Sequence, residues 1–310
     1  MAPDPETVQP AGGHRQRLRG VAAITLTAIL WGTTGTAATF APELGPAAIG
    51  SAAHGIGGLL QAAVAFKAIR RQWPRLAGRW RLVASGAACV VVYPLAFYAS
   101  MRLAGVAVGT LVSLASAPLA AGLLERAIER RPITKRWLVS AGLGVAGCAL
   151  VCWARASAAS ADRPLAQTLW GIALGLAAGA TYAGYSWAAR RLINSGISRA
   201  AVMGAVFGAG GALLIPVLVA TGAPLLASPQ AAAVAGYTVA VPMFLGYLMF
   251  GYGLVRVSAS AATTITLIEP AVAALLAVAV VGERLPAVGW VGLGVIVLAL
   301  AVLTWPAKRR

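Results

Sequence analysis

The chain has 310 residues, of which 59% are hydrophobic and 11% are charged. This composition excludes a pair of water-soluble domains, because apolar runs of membrane-spanning length recur along the whole chain. The formal net charge of +17 does not indicate nucleic-acid binding, because the basic residues lie in short gaps between the apolar runs. We therefore expect an all-α, polytopic membrane protein that has the lipid bilayer, and no nucleic acid, as a partner.

Ten apolar segments follow one another, and the longest polar gap divides them into two groups of five. We expect a disordered cytoplasmic N-terminus at residues 1–19 and a cytoplasmic tail at 306–310. Between them we expect a first five-helix repeat at 20–155, an extracytoplasmic linker at 156–166 and a second five-helix repeat at 167–305. The predicted segments are residues 20–40, 46–66, 81–101, 104–124, 136–154, 167–189, 197–221, 231–254, 258–281 and 286–305.

The distribution of Lys and Arg predicts the orientation of the chain in the membrane. If the N-terminus lies in the cytoplasm, 21 of the 25 Lys and Arg residues fall on the cytoplasmic side. Cytoplasmic loops of membrane proteins carry such an excess of positive charge. We expect both termini to be cytoplasmic, in the cytoplasmic (inner) membrane of a bacterium.

Landmarks of the first half recur in the same order in the second half. Residues 129–132 (Glu-Arg-Arg-Pro) match 283–286 (Glu-Arg-Leu-Pro), and residues 142–145 (Gly-Leu-Gly-Val) match 292–295. Each half has five predicted spans, an odd number, so the second half must be inverted relative to the first. Two inverted five-helix repeats around a central site are a usual plan of secondary transporters.

Three motifs carry a resemblance to a known family. They are Leu-Trp-Gly at 30–32, the run from Leu-Ile-Glu-Pro to Val-Gly-Glu at 267–283, and Gly-Trp-Val-Gly-Leu-Gly at 289–294. Together they resemble the ten-helix EamA-type carriers of the drug/metabolite transporter superfamily, over nearly all of residues 20 to 305. The resemblance implies export or exchange of small metabolites through a central cavity between the two repeats. It extends to bacterial exporters of aromatic and other neutral amino acids, of the YddG type.

Glu269 is the first candidate site residue, because a carboxylate deep in an apolar segment is costly and usually marks a function or a buried partner. It could couple transport to protons or bind a substrate amine. Alternatively, it could satisfy broken backbone beside Pro270 or bond to a neighbouring helix. The first half has Ala117 at the corresponding position, so the acid is not duplicated.

His54 and Ser113 are two further polar candidates inside apolar segments. His54 shares one small or polar face of the second segment with Gly50, Gly57 and Gln61. It could line the cavity, form an interior hydrogen bond or relay protons. Ser113 could bind substrate, or its hydroxyl could satisfy backbone carbonyls that a proline leaves free.

Aromatic side chains form the remaining binding candidates. They lie away from the expected membrane interfaces, where belt aromatics are usually found. A pocket with aromatic walls and a few polar groups would suit aromatic amino acids or flat cations, although ordinary packing explains each residue equally well. The aromatic candidates are Trp31, Tyr93, Phe97, Tyr182 and Tyr185.

Prolines inside the spans are the candidate hinges, because proline removes a backbone hydrogen bond and kinks a helix. Pro94 and Pro118 lie in the third and fourth segments, and Pro242 and Pro270 lie at corresponding positions in the eighth and ninth. We expect these four residues to supply the moving parts of the carrier.

The leading functional hypothesis is a secondary transporter that exports neutral or aromatic amino acids by alternating access. Export of cationic drugs or other metabolites is an alternative in the same class, and a membrane enzyme acting on lipid-linked substrates is an alternative in another class. Because the chain lacks a Walker A motif, an HExxH pattern and a nucleophile triad, we expect no enzymatic activity, metal or cofactor. We expect a monomer or a weak dimer.

Overall fold

The computed structural model describes residues 11–156, 164–282 and 284–305. Ten helical segments account for most of this part of the chain, and it contains no β-strand. Residues 1–10 of the expected N-terminal segment, the expected tail, most of the linker and Glu283 lie outside the described residues. The helices are α1 Ala11–Ala38, α2 Pro46–Ala77, α3 Trp80–Ala104, α4 Val106–Ile128, α5 Lys135–Ala156, α6 Leu165–Asn194, α7 Arg199–Thr221, α8 Pro229–Leu254, α9 Ala259–Val281 and α10 Ala287–Thr304.

The largest differences from the predicted segments are at α1 and α2. Residues 11–19, which we expected to be disordered, form the first turns of α1. Two polar side chains there have partners on other helices: Arg17 donates a hydrogen bond to the carbonyl of Leu303, and Gln16 accepts one from Arg256. Helix α2 continues eleven residues past its predicted end, because its polar residues contact the α6–α7 turn, where Gln72 accepts from the backbone N–H of Ser198.

Nine of the helices in the described part of the chain are long and apolar enough to cross a membrane, and α6 is not among these nine. Helix α6 has 30 residues and its buried face is rich in Gly, Ala, Ser and Tyr. Its contacts are mainly with α3 and α4, and small side chains on the buried face allow these helices to pack closely. The sixth predicted span is therefore present as a helix, but its sequence suits contacts with other helices better than contact with lipid.

Helices at equivalent positions of the two halves pair with each other. Helix α2 packs along α7, and α5 packs along α10. Glycines allow close approach at both contacts: a Cβ on Gly58 would collide with the carbonyl of Phe207, and one on Gly292 would lie 2.8 Å from the carbonyl oxygen of Gly147. Small residues at helix interfaces are the usual basis of close packing in membranes.

The first helix of each half packs in the other half. Helix α1 lies against α8 and α9, whereas α6 lies against α3 and α4. The molecule therefore consists of two three-helix groups, α3–α4–α6 and α1–α8–α9, with the α2–α7 and α5–α10 pairs beside them. The same exchange in both halves is the arrangement expected of two inverted repeats.

Candidate functional site

A cavity of about 1120 Å³ lies between the two three-helix groups. Its walls run from the middle of the helices to one end of the bundle, where they include exposed residues such as Val106, Arg284 and Pro286. We call this the open end, formed by residues 38–46, 104–108 and 284–286. The other end of the bundle, formed by residues 125–131, 190–199 and 254–260, contributes no residue to the cavity wall.

Helix α8 is interrupted beside the cavity by a π-helical turn at Val239–Leu245, which contains Pro242. Side chains from two other helices donate hydrogen bonds to carbonyls in or next to this turn. Trp31 Nε1 donates to Pro242 (2.9 Å), Gln61 Nε2 donates to Phe244 (2.9 Å) and Thr27 Oγ1 donates to Gly246 (3.1 Å). Irregular backbone is tolerated in a membrane where such partners satisfy it. The indole of Trp31 therefore holds the interrupted helix as well as lining the cavity.

Helix α9 is interrupted at a 3₁₀ turn, Thr266–Ile268, directly before Glu269 and Pro270. Gly32 makes this break compatible with close packing on α1, because a Cβ there would lie 2.9 Å from the carbonyl oxygen of Glu269. The Leu-Trp-Gly motif therefore contacts both interrupted helices: Trp31 donates a hydrogen bond to α8, and Gly32 packs closely against α9.

Glu269 contributes to the cavity wall. Within the described part of the chain, its carboxylate has neither a hydrogen-bond nor an ion-pair partner. It lies in Coulombic range of the Tyr93, Tyr98 and Tyr247 hydroxyls. The interpretation that it bonds to a neighbouring helix thus has no contact to support it. The carboxylate is available to a cation that enters the cavity.

Aromatic rings form a continuous wall around this carboxylate. Tyr93 stacks on Phe97 with ring centroids 5.7 Å apart, and the ring of Trp31 lies 5.0 Å from that of Tyr247. Offset and edge-on contacts of this kind are favourable between aromatic rings. The wall is therefore apolar and flat, with hydroxyl groups at a few points.

His54 lies at the inner part of the wall, at the end of a short polar chain. Its Nδ1 is 3.2 Å from the carbonyl oxygen of Gly50, which makes Nδ1 the protonated nitrogen. Its Nε2 is 3.5 Å from the hydroxyl of Tyr247, which is also 3.0 Å from the hydroxyl of Tyr185. The histidine thus combines cavity lining with an interior hydrogen bond.

Five of the eight predicted binding residues line the cavity: Trp31, His54, Tyr93, Phe97 and Glu269. Tyr182, Tyr185 and Ser113 do not line it. Tyr182 and Tyr185 are fully buried behind Tyr93, with ring centroids 5.6 and 5.8 Å from its ring. Ser113 is buried on α4 where Gly179 of α6 packs against it.

Two lining tyrosines, Tyr98 and Tyr247, are not among the predicted residues. Each follows the internal proline of its helix by about one turn, after Pro94 in α3 and after Pro242 in α8. The spacing was a usable signal for Tyr98, which lies four residues after Pro94 and therefore on the same helix face. Tyr247 lies five residues after Pro242, and no such signal in the sequence indicated it.

The four candidate hinges differ in their local structure. Pro242 and Pro270 lie at the interruptions of α8 and α9. Pro94 and Pro118 lie inside α3 and α4, which are continuous α-helices. The two halves therefore accommodate their prolines differently, and the role of these four residues as hinges stays a prediction.

The described residues contain no group of three or more His, Cys, Asp or Glu side chains that could hold a metal ion.

The sequence matches the EamA-like transporter family twice, at residues 18–153 and 169–305. It is 32% identical over 291 residues to the uncharacterized transporter YwfM of Bacillus subtilis, an alignment that covers 93% of this chain and 94% of that protein. A solved crystal structure with 20% sequence identity superposes with a TM-score of 0.76, covering 93% of this chain and 98% of the other. The two family matches coincide with the two predicted repeats, and the ten-helix, two-repeat fold is confirmed.

Proposed function

The chain belongs to the EamA-like transporter family, and from that membership we propose that it exports neutral or aromatic amino acids from a bacterial cytoplasm. It is a multi-pass membrane protein and a transporter of small molecules. Members of this family are not enzymes, so the alternative of a membrane enzyme acting on lipid-linked substrates is wrong. The substrate class, the direction and the mechanism are our proposal.

The observation that carries the proposal is the single carboxylate of Glu269 in an aromatic cavity. An ammonium group can pair with Glu269, and aromatic faces attract cations and apolar rings alike. The walls formed by Tyr93, Phe97 and Trp31 suit a flat or branched apolar side chain. Arg284 at the open end provides a positive charge that can attract the carboxylate of an amino acid.

Organic cations are the second candidate substrate, and the same carboxylate favours them. They differ from amino acids in lacking a carboxylate, so Arg284 would contribute nothing to their binding. A transport panel that contains both classes separates the candidates.

We propose alternating access as the mechanism because the cavity reaches one end of the bundle and not the other. The exchange of α1 and α6 between the halves supports rocking of the two three-helix groups about the central cavity. The interruptions at Pro242 and Pro270 lie in one of these groups, where they allow α8 and α9 to bend.

We place both termini in the cytoplasm, following the positive-inside bias of the sequence. The open end then faces the extracytoplasmic side. A monomer or weak dimer suffices, since both halves of the cavity come from one chain.

The test is efflux of radiolabelled tryptophan, phenylalanine, leucine and a cationic dye from proteoliposomes. We expect amino-acid efflux above that of empty vesicles, and we expect the Glu269→Gln variant to lose at least about tenfold in rate, because a charge-assisted hydrogen bond is worth about 1.5–3 kcal/mol. Glu43→Gln, an exposed carboxylate outside the cavity, is the matched control and should transport normally. Efflux of the dye alone would select the second candidate, and unchanged rates in Glu269→Gln would remove the carboxylate from substrate binding.

A further inference from the structure

We propose that Glu125 is the gating residue of the closed end, holding α9 against α4 while the cavity is open at the other end. The proposal rests on the alternating-access mechanism proposed above. The residue is 7% exposed and lies near the end of α4, far along the chain from the groups that it binds.

The carboxylate of Glu125 binds the N-terminus of α9 with both oxygens. Its Oε1 accepts from the backbone N–H groups of Ala259 (2.8 Å) and Ser260 (3.3 Å), and its Oε2 accepts from the hydroxyl of Ser260 (2.5 Å). Ser258 Oγ caps the same helix from within, accepting from the N–H of Ala261. Helix N-termini carry unsatisfied N–H groups and partial positive charge, so a buried carboxylate is stabilising there.

A cation completes the arrangement at the preceding helix end. Arg190, near the end of α6, donates from one guanidinium nitrogen to the carbonyls of Leu254 and Val257, where α8 ends. Positive charge is favourable at a helix C-terminus for the same reason that negative charge is favourable at an N-terminus. The α8–α9 turn is therefore held at both helix ends by matching charges, and both charges come from the α3–α4–α6 group.

Among the described residues, the equivalent contact at the open end is absent. The last turns of α9 and the first turns of α4 lie on the cavity wall there, with Val278 on one side and Val106 on the other. Counting from the two prolines, Glu125 corresponds to Ala277, and Ser260 corresponds to Val108. At these equivalent positions the inverted repeat thus has a polar, charged contact at the closed end and apolar side chains at the open end.

This inequality predicts which state the empty carrier prefers. Breaking the closed end requires that the Glu125 carboxylate leave its three donors. The equivalent positions at the open end, Ala277 and Val108, have no polar side chains that would oppose or favour opening in this way. Glu125 therefore biases the equilibrium toward the state with the cavity open at residues 104–108 and 284–286.

Glu129 provides a matched control one turn further along. It accepts from the indole N–H of Trp187 (3.0 Å) and pairs with Arg131 (2.9 Å). Those partners lie on α6 and directly after α4, so its contacts stay within one three-helix group. Its removal should leave the gate unaffected.

The test uses cysteine labelling with a membrane-impermeant maleimide and needs no substrate. Cys152 lines the cavity toward the open end, and in a Cys89→Ala, Cys148→Ala background it reports that state. The second reporter is Thr263→Cys in a protein that also carries Cys152→Ala. Thr263 is fully buried on α9, three residues after Ser260. Right-side-out and inverted vesicles present the two faces of the protein separately.

We expect Glu125→Ala to slow labelling of Cys152 from the open end and to speed labelling of Thr263→Cys from the closed end. Loss of hydrogen bonds to a charged group shifts such an equilibrium about tenfold or more. Ser260→Ala removes one of the three donors and should act in the same direction with a smaller effect. Glu129→Ala should leave both rates at their original values.

Three results would overturn the proposal. Unchanged labelling of both reporters in Glu125→Ala would show that the contact does not gate the closed end. Faster labelling of both reporters would indicate that the Glu125 contact stabilises the fold in general and does not select one state. An equal effect of Glu129→Ala would assign the change to the end of α4 in general. If the gate responds as expected but no solute moves in proteoliposomes, the substrate proposal fails and the gate stands.

Discussion

Trp31 shows how one side chain can connect the cavity to the backbone of a neighbouring helix. Its ring forms part of the wall, and its indole N–H donates to the carbonyl of Pro242 in the interrupted part of α8. A ligand that contacts the ring therefore also contacts the group that holds the break in α8.

Trp31→Phe should separate these two roles, because phenylalanine keeps an aromatic ring and loses the N–H donor. We expect the free energy of unfolding in detergent to fall by about 0.5–1.5 kcal/mol, the usual range for one hydrogen bond between membrane helices. Transport should slow although the cavity stays aromatic. Trp170→Phe, at an exposed tryptophan outside the cavity wall, is the control. Equal stability of the two variants would mean that the indole bond does not hold α8.

The α5–α10 pair shows why the repeated glycine motif matters at the scale of whole elements. Gly292 of α10 faces the carbonyl of Gly147 on α5, whereas Gly294, two residues further, has no atom within 4 Å of the position of a Cβ. The same substitution at the two positions should therefore have different results. Gly292→Ala forces α5 and α10 apart and should cost about 1–3 kcal/mol of stability, as overpacking does.

Gly294→Ala adds a methyl group in open space and replaces glycine by a better helix former, so stability should stay equal or rise slightly. The check is thermal unfolding of both purified variants beside the unaltered protein. If both variants lose the same stability, the α5–α10 contact does not depend on close approach at Gly292.

At the scale of the whole molecule, the inverted repeat makes a definite prediction about topology. Because consecutive helices alternate in direction, the ends of α1, α3, α5, α7 and α9 lie on one side of the membrane. Reporter fusions at the chain ends and in the loops measure which side this is. We expect a C-terminal fluorescent protein to be active, and alkaline phosphatase to be active after Gly222, between α7 and α8.

Fusions with the reversed pattern would invert the orientation and would make the open end cytoplasmic. The cavity geometry would be unaffected, but the structure would then represent the cytoplasm-facing state. Replacing the six Lys and Arg residues between positions 67 and 81 should weaken the preferred orientation, because that cluster is the largest contribution to the positive-inside bias.

The sequence by itself determined the spans, the repeat and much of the cavity wall. Runs of about 20 apolar residues specify membrane helices because a helix satisfies its backbone hydrogen bonds within its own segment. This is why most helix ends lie within a few residues of prediction. Glu269 and His54 were visible as polar groups in apolar runs, since such groups are costly unless they have a role.

Only the tertiary structure decided which helices pack together and which aromatic residues face the cavity. The packing of α1 and α6 in the opposite halves depends on contacts between residues far apart in sequence. An aromatic residue in a span looks the same in the sequence whether it lines the cavity, as Tyr93 does, or is buried behind the wall, as Tyr182 is. Glu125 lies at the edge of a predicted span, where a charged side chain costs little free energy and gives no sign of a function. Its role depends on the folded structure, which brings the N-terminus of α9 against it. The different local structures at Pro118 and Pro270 likewise arise from the neighbours of each helix, because a proline removes the same hydrogen bond in both.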